Sequence, residues 1–115
     1  MNCSRIFHIV RVIRVIDGDT IDCEIDLGFD IKTTQRLRLA RIDAPEKRGT
    51  LKPSGLASEL ACSDFLDAHD NISVTTLKKD SFGRYIAEIE SICDGEIVNL
   101  SDFLVAAKMA VYREY

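Results

Sequence analysis

The chain contains no tryptophan, only three tyrosines and five phenylalanines, and no run of about 18 apolar residues. Without such a run no helix is expected to span a bilayer, and no membrane partner is expected. So few aromatic side chains give thin support for a surface that binds by stacking bases. No CxxC pair occurs either. Cys3, Cys23, Cys62 and Cys93 are scattered, which suggests neither a zinc site nor a redox dithiol. A reducing, cytoplasmic home is the simpler expectation from that usage. An excess of positive charge is also missing: 15 Lys and Arg face 19 Asp and Glu, a net charge of −4. This argues against nucleic-acid binding by bulk charge, while leaving room for a local cationic pocket. The opening "MNCSRIFHIVRVIRV" is interrupted by Arg5, Arg11 and Arg14 and is followed by no small-residue cleavage site. It is read as a strand of the fold and not as a secretion signal.

What is present suits a single globular domain over residues 1–115, with 46% hydrophobic and 30% charged residues. No repeat, linker or low-complexity segment interrupts it. The charges are segregated. Acids crowd "DGDTIDCEID", and bases crowd "RLRLARIDAPEKRGTLK".

Residues 6–16 and 19–27 read as two strands joined at Asp17-Gly18, a strong hairpin signal. In the second, Ile21, Cys23, Ile25 and Leu27 share one face, and parity puts Asp19 on that inward side, at the mouth of the core. A third strand runs from Lys32 to Ile42 and stops at Asp43-Ala44-Pro45, where proline cannot donate to a ladder. After the loop "EKRGTLKPSG" a helix is predicted from Ser54 to Ala68, with Ala57, Leu60, Ala61 and Phe65 on one face. "NISVTTLK" and "RYIAEIESI" make the fourth and fifth strands. A last helix spans Leu100–Lys108, with Asn99 as N-cap and Leu100, Phe103, Leu104 and Ala107 inward. The order βββαββα is that of a mainly β, α+β fold: a five-stranded OB-type barrel.

Charged residues fall at the ends of these elements: Asp17 and Asp19, Arg38, Asp43 and Glu46, and Arg84. Each has an ordinary reading, as turn former, strand terminator or solvated charge. Together they suit phosphodiester hydrolysis. Asp19, Asp43 and a backbone carbonyl offer the hard oxygen ligands that a divalent cation prefers. Arg38 and Arg84 offer guanidiniums for phosphate oxygens, and Glu46 a carboxylate to orient or deprotonate water. Arg38 and Asp43 are five residues apart, so a strict period of two sends them to opposite faces. Convergence requires a bulge or bend near Ala40 to Ile42, or the end of the strand at Asp43.

The segments "IDGDT", "RLRLARIDAPE" and "DSFGR" closely resemble, in order and spacing, the three active-site segments of the staphylococcal nuclease (thermonuclease) family. The likeness extends from about Val10 to Tyr112 and includes "GEIVNLSDFLVAAKMA". The resemblance implies a Greek-key OB-fold barrel, usually monomeric, and calcium-dependent hydrolysis of DNA or RNA, single-stranded or locally open, leaving 3′-phosphate ends. Magnesium and manganese are the alternatives to calcium. Residue by residue, it implies Asp19 and Asp43 as metal carboxylates and Ala44 as the source of a metal-binding carbonyl where the family usually has threonine. It further implies Arg38 and Arg84 as phosphate-binding and transition-state groups, Glu46 as general base, and Asp17 in support behind the metal ligands. Tyr112 and Tyr115 lie near nucleotide-contacting tyrosines of the family, and Lys47 and Arg48 are candidates for steering a phosphate backbone. The loop after Asp43 is shorter than its counterpart, and the family enzyme's further C-terminal helix has no counterpart in this sequence.

Two other readings compete. One is a non-catalytic OB-fold module that binds nucleic acid or a protein; the other is a calcium-binding structural domain. A binding-only member would be expected to have lost carboxylates or arginines from the site, whereas Asp19, Arg38, Asp43, Glu46 and Arg84 are all present, and a structural calcium domain leaves Arg38 and Arg84 without a task.

Overall fold

A computed structural model of the protein describes residues 5–114, except for the side chains of Arg5, Leu51 and Cys93. Tyr115 therefore lies outside the described residues. The chain runs β1 (Arg5–Asp17), β2 (Thr20–Gly28), β3 (Ile31–Leu39), β4 (Ile42–Asp43), α1 (Lys52–Ala68), β5 (Ile72–Lys79), β6 (Tyr85–Cys93), β7 (Glu96–Asn99), α2 (Leu100–Ala106) and β8 (Val111–Tyr112). The order β3-β2-β1-β5-β6 closes on itself where β3 and β6 pair in parallel. The result is a closed five-stranded barrel with two helices, consistent with an OB-fold nuclease.

Alternation along the strands fills the barrel. Ile21, Cys23, Leu37, Leu39, Val74, Ala87 and Ile89 are all fully buried, each large apolar side chain contributing on the order of 1.5–3 kcal/mol by leaving water. The β2–β3 register sets Asp22 opposite Arg36, whose guanidinium makes two hydrogen bonds to that carboxylate at 2.7 and 3.0 Å. Leu27 departs from the expected inward face and is exposed, because β2 and β3 outrun the barrel. Their hairpin tip turns through Gly28, Phe29 and Asp30, all with positive φ, and Phe29 is 98% exposed.

The helices differ from expectation in an informative way. α1 buries Gly55, Ser58, Cys62, Phe65 and Leu66, whereas Leu60 and Ala57 face solvent. The first half of the buried stripe, Gly55 and Ser58, is small because α1 packs there against the Glu46 backbone and the Gly18 turn. A Cβ on Gly55 would stand 2.5 Å from the Glu46 carbonyl oxygen, and one on Gly18 would stand 2.7 Å from the Ser58 side chain. α2 starts as expected: the Asn99 side chain accepts a hydrogen bond from the Asp102 N–H at 3.1 Å. Leu100 and Leu104 are buried, and Phe103 is half-exposed against Phe65. The helix ends at Ala106, followed by a turn in which Lys108 takes a positive φ.

Candidate active site

The site is built where β2 begins and β3 ends. The Asp17-Gly18 turn brings Asp19 beside the end of β3, and the Leu39 N–H donates to the Asp19 carbonyl at 2.8 Å. Gly18 is needed here for close approach and not for a left-handed conformation, since the underlying Ser58 leaves no room for a side chain. That serine's hydroxyl in turn donates to the Met109 carbonyl, so the turn, α1 and the C-terminal segment are fastened at one point.

The bend anticipated between Arg38 and Asp43 exists. Arg41 adopts φ 66°, an uncommon conformation for a side chain of its size, and the chain reverses into β4. Several bonds hold the reversal. The Ala40 N–H donates to the Ala87 carbonyl at 2.9 Å, and Ser101 Oγ donates to the Ala40 carbonyl at 2.9 Å. The Arg41 guanidinium meets Glu88, Asp102 and Asn99, which holds the Asp102 carboxyl below the usual carboxylate range.

Asp43 is thereby returned to Asp19 and Arg38. One terminal nitrogen of Arg38 lies 3.3 Å from an oxygen of Asp19 and 3.3 Å from one of Asp43, and its other terminal nitrogen donates to the Leu39 carbonyl at 3.1 Å. Asp19 and Arg38 are each only 7% exposed. Such a buried charged group persists only if paired and hydrogen-bonded, and Asp19 is fully provided for. Its Oδ2 accepts from the Ala44 N–H at 2.9 Å, and its Oδ1 from Thr20 Oγ1 at 3.1 Å. The outer oxygen of Asp43 accepts from Arg113 at 3.2 Å.

The other residues expected at the site are distributed around this trio. Glu46 is exposed and lines a groove shared with Asp43, Ala44, Lys108 and Arg113; its backbone is seated on Gly55. Asp17 is half-buried. Its carboxyl is raised above the usual range by burial and then by the charge of Asp19, with Glu59 and Glu46 adding and Lys47 opposing. Lys47 folds back onto Glu59 at 3.0 Å, and Arg48 is exposed.

Arg84 sits in the "DSFGR" turn, stacked near Phe82 and held by Asp80. Its Nε lies 2.7 Å from that carboxylate, which also accepts from the N–H groups of Phe82 and Arg84. Burial works to raise the Asp80 carboxyl, but these bonds outweigh it and leave it lowered. The parallel register sets Arg38 beside Ile86, two residues beyond Arg84. Arg84 thus stands just ahead of the neighbouring strand β6 but is engaged with Asp80. Tyr112 donates to Asp102 at 2.8 Å and lies under Arg41. It lines a second groove with Arg41, Lys78 and Arg113.

The donor set suits a hard divalent cation. Two carboxylates converge on one nitrogen, and the trio offers oxygen ligands with no sulfur or imidazole. Among the described residues no three His, Cys, Asp or Glu side chains form a metal-holding group. Backbone, water or substrate oxygens would have to complete a shell begun by Asp19 and Asp43. Arg113 was not anticipated from sequence, since a lone arginine in "VYREY" carries no pattern. Its placement depends on β8 pairing with β4, where Asp43 stands opposite Val111.

Comparison with protein-family models finds no match. Among curated proteins, an uncharacterized endonuclease of Escherichia coli O157:H7 is 35% identical over 106 residues, which is 91% of this chain and 61% of that protein. A micrococcal nuclease of Shigella flexneri is 32% identical over 111 residues, 91% of this chain and 59% of that protein. An uncharacterized endonuclease of Haemophilus influenzae is 34% identical over 87 residues, 76% of this chain and 44% of that protein. The chain thus spans about three fifths of the length of the first two relatives. Over most of its length the chain is thus similar to proteins named as endonucleases and as a micrococcal nuclease, and its closed barrel is consistent with that likeness.

Proposed function

We propose that the protein is a metal-dependent nuclease that hydrolyses phosphodiester bonds of DNA or RNA, with calcium as the cation and 3′-phosphate ends as products. The observation that carries this reading is the buried Asp19–Arg38 pair, joined by the partly exposed Asp43 at the barrel rim, in a chain whose relatives are named as nucleases. Packing the Asp19 carboxylate against the Arg38 guanidinium away from water costs desolvation energy, and a hydrophobic replacement is often as stable. A charged arrangement of this kind at an open rim fits a chemical role.

A divalent cation held by Asp19, Asp43 and the Ala44 carbonyl would supply Lewis acidity to a phosphate oxygen. The chain's own residues supply the rest. Arg38, fixed by its bond to the Leu39 carbonyl, presents a guanidinium to the phosphate edge. Arg84 joins it on leaving Asp80, placing a second guanidinium against the charge that grows as water attacks phosphorus. Glu46, exposed on the groove beside Asp43, accepts the proton of that water while the 5′ oxygen departs. Nothing in this set reads a base edge, so weak sequence preference and a flexible, single-stranded or locally open substrate follow.

The test is cleavage of fluorescent single-stranded DNA and RNA with calcium, magnesium, manganese or a chelator, for the unchanged protein and for Glu46→Gln and Arg84→Ala. Each substitution is expected to slow cleavage on the order of 10²- to 10⁴-fold. Oligonucleotide binding without cleavage under any metal would overturn the assignment in favour of a binding module.

A further inference from the structure

Arg113 contacts one of the carboxylates assigned to the cation, and that contact points to a role in substrate binding. The two oxygens of Asp43 are shared between two arginines: Arg38 takes one at 3.3 Å and Arg113 the other at 3.2 Å. The two guanidiniums differ in exposure. The Arg38 side chain is 8% exposed and wedged against Asp19, whereas the Arg113 side chain is 61% exposed. The backbone of Arg113 is nevertheless fixed, because its N–H donates to the Arg41 carbonyl at 2.8 Å. Its exposed head thus projects from an anchored Cα. It also stands on the divide between two grooves, one lined by Asp43, Ala44, Glu46 and Lys108, the other by Arg41, Lys78 and Tyr112. Resting on the nuclease reading, we propose that Arg113 is a phosphate-binding residue that waits on Asp43 and transfers to a substrate phosphate when a divalent cation takes the carboxylate.

The charge balance supports the exchange. Asp19 and Asp43 carry two negative charges, and Arg38 and Arg113 balance them in the contacts described. A divalent cation brings two further positive charges to the same oxygens. Arg38 is confined, so the exposed Arg113 is the one displaced. A phosphate of a strand lying across the two grooves then offers it a bidentate partner. The released guanidinium ends beside the carboxylates, at the point where the strand must pass.

The experiment compares the full chain with Arg113→Gln and Arg113→Lys, using calorimetric titration with Ca²⁺ alone and then with a short oligothymidylate in Ca²⁺ at several salt concentrations, with thermal melts to establish folding. Losing a competitor for Asp43 should let Arg113→Gln bind Ca²⁺ several-fold more tightly. It should bind the oligonucleotide roughly tenfold more weakly, with the slope of log affinity against log salt reduced by about 0.7, the loss of one phosphate contact. Arg113→Lys should restore the slope but only part of the affinity. Unchanged Ca²⁺ affinity and salt slope in a folded Arg113→Gln variant, beside an unchanged protein that binds Ca²⁺ and cleaves, overturns this proposal alone. Failure of the unchanged protein to bind any cation overturns it together with the nuclease reading.

Discussion

Gly18 shows how one position serves both stability and chemistry. An Ala at 18 would put Cβ 2.7 Å from Ser58 Cβ and Oγ and 3.1 Å from Ala44 Cβ. Ser58 cannot yield easily, since it is fully buried and bonded to Met109. Gly18→Ala is expected to cost about 1–3 kcal/mol in urea unfolding, the usual range for overpacking, and to lower cleavage by moving Asp19. Pairing it with Ser58→Gly should recover part of the stability, whereas no recovery would place the strain elsewhere. Cys23 and Cys62 illustrate the converse, chemistry suppressed by packing. Burial pushes both thiols up to about 12, and the thiolate is the reactive form. In a Cys3→Ser/Cys93→Ser background, alkylation at pH 8 should proceed only after denaturation. Rapid labelling of the native protein would contradict the packing described.

Among the elements, α2 depends most visibly on a single residue. Asn99 caps the helix by accepting from the Asp102 N–H, donates to Glu88 at 3.2 Å and accepts from Arg41. Asn99→Ala should therefore cost about 1–2 kcal/mol of stability, measured as a lower urea midpoint with an unchanged m-value. A neutral effect would show that Arg41 and Glu88 hold the junction unaided. This cap was legible because Asn followed by a helical apolar spacing is a local signal. The inward parity of Asp19 was legible for the same reason. The buried face of α1 was legible only in part: Phe65 is in the core and Ala61 packs against it, but Leu60, whose apolar character marks a core position, is exposed, and the start of the inner face is given to Gly55 and Ser58 for close approach to the Glu46 backbone and the Gly18 turn. β7, β4 and β8 were missed because they are two to four residues long and exist only through partners. The bend at Arg41 was required by the chemistry before any local residue signalled it, since nothing about arginine favours a positive φ.

At the scale of the whole molecule, closure of the barrel and assembly of the site are the same event. The parallel pairing of β3 with β6 joins Leu37–Leu39 to Tyr85–Ala87, and the β4–β8 ribbon joins Ile42 to Tyr112. The residues proposed for catalysis therefore meet only after long loops have closed. Folding is expected in the millisecond-to-second range typical of such non-local topologies. Stopped-flow refolding should show the Asp43-dependent rise in Ca²⁺ affinity only in the phase that restores the barrel; affinity gained earlier would mean that the carboxylates meet without it.

The hairpin tip at Phe29 lies at the opposite end of β2 from Asp19, ten residues further along the chain. At about 3.4 Å per residue that is at most roughly 34 Å, and Phe29 packs against almost nothing. The molecule therefore carries a natural attachment point: a fluorophore or tether placed at position 29 would immobilise or report on the protein while leaving the carboxylate rim facing the medium.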